Sequence, residues 1–313
     1  MGLKFYMDYN SFTSKIKTEL EKQFDSSHKV VISTTLKNND VQLDTILIQK
    51  EGSYISPNLY LEYYYEQYCE GASIEEVVED MLVAYAEATK QEPALKLQST
   101  DFSQCMSKIY YRLVNYEKNS SFLSKVPYVR YHDLAIVFYC LVEEQASGIQ
   151  SFCINSHLCE KWEMTAKELY DIAKINTQNM FPAKLSNLAD VLTQYPNIGE
   201  FGDMEHTLQK IRETDNADME GPFSIYVLTN KIGVNGAAVI LYPDVLRKIA
   251  ESFQSDLYLL PSSIHEFLIL PKKDFKTEEL EAMVQEVNRT QVMSEEVLSQ
   301  RVYSYNRKKH CVE

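Results

Sequence analysis

The tightest grouping of reactive side chains in the chain is Pro261-Ser262-Ser263-Ile264-His265-Glu266. A serine nucleophile needs a histidine within hydrogen-bond reach to take its proton and an acid to orient that histidine, and all three types stand together here. The same string reads as a hairpin turn, with proline and two serines setting the bend and His265-Glu266 opening the return strand. Neighbouring strand residues point to opposite faces, so on that reading His265 and Glu266 do not meet in triad geometry. The turn is the preferred account, and a serine-type hydrolase using Ser262 or Ser263 with His265 is the alternative.

Cys153, His157 and Cys159 are residue types that bind zinc, but no fourth ligand is close in sequence and paired C-x2-C spacing is absent. We read them as thiols near a helix start and expect no metal. Gly233-Val234-Asn235-Gly236 lacks the G-x-x-x-x-G-K pattern and the strand-to-helix setting of a phosphate loop, so it reads as a turn and no nucleotide cofactor is expected.

The most unusual compositional feature lies between Glu51 and Thr89, where no lysine or arginine occurs while acids stand at 51, 62, 66, 70, 75, 76, 79, 80 and 87. Tyr60 and Tyr64 are one helical turn apart, and Leu61, Tyr65 and Tyr68 follow at i, i+4 and i+7. Packing on both sides of this helix accounts for the pattern if the hydroxyls reach the surface and the acids are solvated. The functional reading is an acidic, aromatic surface for a basic protein partner, with Tyr60, Tyr64, Tyr65, Tyr68, Glu62 and Glu66 as contact residues.

The elements that position these groups follow from periodicity and punctuation. Phe12, Ile16, Leu20 and Phe24 recur every four residues behind Asp8 or Asn10, which predicts a helix over 9–25. Two β-rich runs, VVISTTLKNN and VQLDTILI, flank an Asn38-Asn39-Asp40 turn. Ser56-Pro57 opens a predicted helix to about Cys69, stopped by Gly71, and Ser73 with Glu76 caps the next, Ile74 to about Ala88. Phe102 to Tyr116 reads as a helix with Met106, Ile109 and Leu113 on one face. Leu134–Val142 is uncharged and rich in β-formers, so it reads as a strand buried on both faces, paired through a turn with Ile149–Ile154. A helical turn at His157–Trp162 and a helix capped by Thr165 with Glu168 follow, so that hairpin, helix, helix occurs twice, at 29–88 and 134–176.

The polar segment from Pro196 to Pro222, with glycines at 199, 202 and 221, is the expected boundary between an N-terminal lobe, 1–197, and a C-terminal lobe, 198–313. Beyond it the pattern predicts strands at FSIYVLT, AAVIL, LYLL and EFLIL, and helices from Asp244, Thr277 and Ser294. The fold class is α+β: two lobes of antiparallel hairpins packed against helices.

Several strings in the chain resemble an uncharacterised bacterial family, a domain of unknown function associated with anaerobic gut bacteria. They are ISPNLYLEYYYEQYCEG at 55–71, RLVNYEKN at 112–119, VPYVRYHDLAIVFYCLV at 126–142, INSHLCEKW at 154–162, GAAVILYPDVLRKIAE at 236–251 and LYLLPSSIHEFLILP at 257–271. The resemblance spans nearly the whole chain from Met7 and implies no activity, ligand or site residue. Met7 directly precedes the first helix and is an alternative start to Met1.

Composition bounds the rest. Lys+Arg 31 against Asp+Glu 45 gives a net charge of −14, which repels a nucleic-acid backbone or an anionic membrane surface. The basic residues Arg301, Arg307, Lys308, Lys309 and His310 read as a solvated tail. No apolar run approaches the roughly twenty residues that span a bilayer, and the N-terminus lacks a signal-peptide core. Tyr6 stands where a myristoylation motif has Ser or Thr. Six cysteines in so long a chain do not form a framework and are expected to be reduced. A cytoplasmic, non-enzymatic binding or regulatory protein working through protein contacts is the preferred expectation.

Overall fold

The computed structural model describes residues 6–51, 56–90, 100–145, 148–193, 204–213, 225–272 and 275–313. The chain packs as two units, Met1–Lys37 with Val41–Gln98 and Asn38–Asp40 with Ser99–Glu313. All sheets are antiparallel, and the class is α+β.

In the first unit the Asp8 carboxylate caps helix α1 (Tyr9–Glu21) by accepting from Ser11 N at 2.9 Å. Strands β1 (His28–Leu36) and β2 (Gln42–Lys50) form the first hairpin, and β3 (Asn58–Tyr60) pairs with the other edge of β2. The helix expected from Pro57 therefore begins at Leu61, as α2 (Leu61–Glu70), because the ladder to β2 takes Asn58–Tyr60 first. Gly71 ends it with φ at +123°, a conformation that penalises any residue with a Cβ. Helix α3 (Ile74–Lys90) opens on the expected capping box: Ser73 N donates to Glu76 Oε2 at 2.7 Å and Glu76 N to Ser73 Oγ at 3.2 Å. Phe12, Ile16, Leu20, Ile46, Ile48, Leu61, Val77 and Met81 form the core of this unit.

The second unit runs α4 (Phe102–Cys105), β4 (Ile109–Asn115), α5 (Ser120–Leu123), β5 (Tyr128–Tyr131), β6 (Leu134–Gln145), β7 (Gly148–Cys153), α6 (Ser156–Lys161) and α7 (Ala166–Met180). It continues with β8 (Ala183–Asn187), α8 (Leu188–Thr193), α9 (Met204–Glu213), β9 (Tyr226–Asn230), a 3-10 segment (Gly236–Leu241) and α10 (Val245–Phe253). It closes with β10 (Leu257–Ser263), β11 (Glu266–Pro271), α11 (Thr277–Thr290), β12 (Tyr303–Asn306) and β13 (Cys311–Val312). One sheet is built on β6, with β4 along one edge and β5 then β7 along the other. The second has the order β13-β12-β10-β11-β9-β8. Strand β6 is buried on both faces, as its composition implied. Leu134, Ile136, Phe138 and Cys140 face the large core, while Ala135 and Val137 face a smaller cluster with Val114, Leu123 and Val126.

Four expectations are corrected. The helix predicted over Phe102–Tyr116 stops at Cys105, and Ile109–Asn115 is a strand: Ile109, Tyr111 and Leu113 lie in the large core while Tyr110 and Val114 are buried away from it, and Met106 is 50% exposed. AAVIL is a buried 3-10 segment, not a strand; a Cβ at Gly236 would collide with Thr229 Oγ1, His265 O and Asn230 N. The helix predicted from Ser294 is absent because side-chain amides capture its carbonyls. Asn38 Nδ2 binds Glu295 O at 2.6 Å, Asn39 Nδ2 binds Ser294 O and Val297 O at 2.7 Å, Asn115 Nδ2 binds Leu298 O at 3.0 Å, and Asn288 Nδ2 binds Ser299 O at 2.9 Å. The basic tail is not free, since Tyr305 pairs with Val312 and Asn306 with Cys311 across β12 and β13.

The lobes expected at 1–197 and 198–313 share one sheet, because β8 and β9, on either side of that boundary, are neighbours with Leu185 opposite Leu228. Of the segment 196–222, only α9 falls within the described residues. Hairpin, helix, helix does recur as β1-β2, α2, α3 and as β6-β7, α6, α7, but β1 is an edge strand whereas β6 is central. Among the described residues no helix is long and apolar enough to cross a membrane.

Val137 is 0% exposed, so Val137→Asp places an unpaired charge in the interior and is expected to cost roughly 3 kcal/mol or more. Chemical denaturation that finds an unchanged midpoint would show the strand to be peripheral. All six cysteines are free, and burial pushes the Cys140 thiol up to about 12 and Cys153 up to about 11, while Cys69 and Cys311 are exposed. Iodoacetamide at mildly alkaline pH should therefore label Cys69 and Cys311 well before the buried thiols, as read by mass spectrometry. The raised folded-state values also fix a sign: this contribution to stability is intact below the unfolded thiol pKa and is lost as pH rises towards 11–12.

Candidate functional site

The β10–β11 turn carries the serine and histidine group. Ser262 Oγ donates to Glu266 Oε1 at 3.2 Å, and Ser263 Oγ accepts from His265 N at 3.0 Å. Neither hydroxyl meets the imidazole. His265 Nδ1 accepts from Asn235 N at 3.1 Å, which leaves the ring proton of the neutral imidazole on Nε2, 3.3 Å from Glu296 Oε1. Both ring nitrogens thus hold neighbouring segments in place: the Gly233–Gly236 turn on one side and the carbonyl-captured segment on the other. Thr229 Oγ1 donating to His265 O at 2.8 Å adds a third tie. Among the described residues neither hydroxyl has the histidine base that the serine–histidine reading requires; Ser262 meets only the Glu266 carboxylate, and the segment is a turn.

Cys153, His157 and Cys159 are not brought together. Cys159 is buried with its thiol donating to Met164 O at 2.8 Å, Cys153 is half-buried against the smaller core, and His157 is exposed. Among the described residues no group of three or more His, Cys, Asp and Glu is arranged to hold a metal ion.

Helix α2 distributes its tyrosines differently from the expected contact surface. Tyr65 Oη donates to Met7 O at 3.1 Å and Tyr68 Oη accepts from Met7 N at 3.3 Å, while their rings pack on Phe12 at 5.1 and 5.3 Å. Tyr64 also packs on the core, and Lys37 Nζ lies 4.0 Å from the centre of the Tyr60 ring. All four rings are half-buried. Glu62 turns inward and accepts from Asp44 N at 2.7 Å, so of the six expected contact residues only Glu66 is fully exposed.

The acidic character reappears on α3. Ile74, Val78 and Leu82 floor a groove of about 260 Å³ against α1, rimmed by Glu19, Glu75 and Glu79. Lys15 and Lys22 pair with Glu19 at 2.8 and 2.9 Å, and Lys15 also feels Glu75, so the three rim glutamates outnumber their two lysines and leave an excess negative charge towards Glu79. Apolar floor and acidic rim together suit an aliphatic stem that ends in a cation.

In the second unit a cleft of about 600 Å³ opens where the end of β5, helix α7, the corner from Ile240 to Arg247 and the β12–β13 hairpin converge. Tyr131, Tyr170, Tyr242 and Tyr305 supply aromatic wall, with Leu246 and Val312 between them. Tyr242 is tied off by donating to Phe181 O at 2.8 Å. Tyr131 and Tyr170 make no hydrogen bond through their hydroxyls to any described residue, and burial raises the pKa of both. Behind the wall, the ring of Tyr111 lies 5.9 Å from Tyr170 and 6.4 Å from Tyr242, and its buried hydroxyl is also without a partner among the described residues. Arg247 donates from Nε to Asp244 Oδ1 and from Nη1 to Glu251 Oε1, both at 2.9 Å; these bonds lower the Asp244 pKa and raise that of Arg247. Asp244 and His310, both at the cleft, have φ of +64° and +53°, a conformation uncommon outside glycine.

Sequence reasoning missed this cleft because its residues come from distant segments, 131, 170, 240–247 and 305–312, with no shared spacing, and because the C-terminal hairpin read as a tail. An α+β protein of antiparallel sheets with a tyrosine-walled cleft and a separate acidic groove is the class these features define. The chain belongs to DUF5688, a family of unknown function, whose model matches residues 9–307. Comparisons with curated proteins and with solved structures gave no match.

A fluorophosphonate probe should form no adduct on Ser262 or Ser263, since neither hydroxyl reaches the His265 imidazole. A serine adduct that disappears in His265→Ala would establish a nucleophile there and overturn the turn assignment.

Proposed function

We propose that this is a bacterial, cytoplasmic, non-enzymatic binding protein, and that its first unit docks a basic, amphipathic segment of a protein partner on the acidic face of α3. The observation that carries the reading is the α1–α3 groove. Its floor is apolar, and Glu19, Glu75 and Glu79 at its rim outnumber Lys15 and Lys22, the lysines of α1 beside them, while no lysine or arginine occurs between Glu51 and Thr89 to add to these. A lysine or arginine side chain could lay its stem on Val78 and Leu82 and place its charge between the glutamates. Glu66 and Glu70 on α2 are exposed and add to the attraction; the α2 tyrosines contribute their accessible edges and otherwise belong to the core of their own unit. Six free cysteines, two of them exposed, support a reducing compartment. The hydrolase alternative has no supporting geometry at the β10–β11 turn.

A helical peptide made of lysine and leucine at heptad spacing provides the test. It should bind the full chain and weaken as salt rises from about 0.05 to 0.5 M, because exposed charges are screened over that range. Glu75→Lys with Glu79→Lys should lower affinity about tenfold, while Glu278→Lys with Glu281→Lys on α11 should change it less than about twofold. Equal losses from the two double variants would show only a general response to net charge, and an unchanged affinity in the first would remove the groove from consideration. Fluorescence anisotropy reads both.

A further inference from the structure

We propose that the tyrosine-walled cleft of the second unit is a binding site for a small, uncharged, planar aromatic compound that carries carbonyl oxygens. Size is the first support: a cleft of about 600 Å³ falls within the roughly 300–1,000 Å³ of small-molecule sites. The wall is the second. Tyr131, Tyr170 and Tyr305, with Leu246 and Val312, present flat aromatic and aliphatic surface, which rewards a ring more than a flexible polar chain.

The hydroxyls set the polarity of the ligand. Tyr131 and Tyr170 line the cleft without hydrogen-bond partners among the described residues, and burial keeps both phenols protonated across the physiological range. They are therefore donors in search of acceptors. A purely apolar occupant would strip water from them and return nothing, which is unfavourable, so the occupant must bring oxygen or nitrogen acceptors. Tyr111, tilted against Tyr170 and edge-on to Tyr242, lies behind the wall with its buried hydroxyl also without a partner among the described residues.

Charge separates the remaining classes. Arg247, the guanidinium that lines the cleft among the described residues, already bonds two carboxylates, Asp244 and Glu251, so among those residues no unpaired guanidinium is there to reward an anion. A cationic ligand gains little from Asp244, whose charge is shared with Arg247. His310 lies at the rim with Nδ1 3.4 Å from Tyr305 Oη, and the chain as a whole carries −14. Neutral ligands escape both penalties.

Coumarin, a neutral bicyclic ring with a lactone carbonyl, and coumarin-3-carboxylate, its charged analogue, are matched probes for calorimetric titration of the full chain. Coumarin should bind, and Tyr131→Phe and Tyr170→Phe, which keep the rings and remove only the donors, should each weaken it about fivefold, the equivalent of one net hydrogen bond. Cys311→Trp, on an exposed strand at the cleft and outside the core, should abolish binding by filling the space. The carboxylate should bind about tenfold more weakly than coumarin. Failure of coumarin to bind the folded chain overturns the proposal, as does binding that survives Cys311→Trp or is indifferent to both Tyr→Phe changes. A carboxylate that binds as tightly as coumarin overturns the assignment to uncharged ligands.

Discussion

Strand β6 is the constraint on which the second unit depends. Its backbone is laddered on both edges, by β4 on one side and by β5 and β7 on the other, and its side chains are buried on both faces. Over Leu134–Cys140 the strand has little face left for water, so these positions are uncharged and every element packed on them is fixed in register. The large core beneath Leu134, Ile136 and Phe138 also takes Leu169 and Ala173 of α7, Val239 and Ile240 of the 3-10 segment and Ile249 of α10. The cleft lies at the margin of this same core, where Tyr131 ends β5 and Tyr170 projects from α7.

A second constraint is the capture of backbone carbonyls by asparagine side chains. Residues 294–299 are tied down by Asn38, Asn39, Asn115 and Asn288 rather than by a helical ladder, and Asn119 in turn accepts from Asn39 N at 2.8 Å. Asp133 completes the clamp, accepting from Ser299 Oγ at 2.7 Å and Tyr303 Oη at 2.6 Å. Asn115, Asn119 and Asn288 are buried and must be bonded, and with their half-buried neighbours they satisfy an irregular segment that would otherwise strand its own polar groups. His265 belongs to the same system through Glu296, which explains why a residue of catalytic type is spent on architecture.

Two regions outside that framework carry chemistry of different kinds. The groove on α3 has more carboxylates than lysines over an apolar floor, and long-range attraction dominates such a surface. The cleft of the second unit has paired charges and phenols without a partner among the described residues, and contact at short range dominates there. The contrast follows from composition: one stretch excludes lysine and arginine, whereas the other pairs Arg247 with two acids one turn to either side.

What the sequence by itself determined is what nearest neighbours along the chain decide. Period and punctuation were enough for α1, the first hairpin, the capping boxes of α3 and α7, the doubly buried β6, and the α+β class, because caps, turns and apolar repeats act over a few residues. Ser262, Ser263 and His265 could also be read as a turn, since strand alternation alone separates His265 from Glu266. Only the tertiary structure decided Ile109–Asn115, whose alternating and helical readings share the same apolar residues until β6 supplies a partner edge. The same holds for 294–303, where carbonyls are claimed by asparagines more than a hundred positions away in three of the four cases, and for the boundary near 198, which β8 and β9 bridge. The cleft is the extreme instance: Tyr131, Tyr170, Arg247 and His310 have no common spacing, and only the packing of their elements brings their side chains to one place.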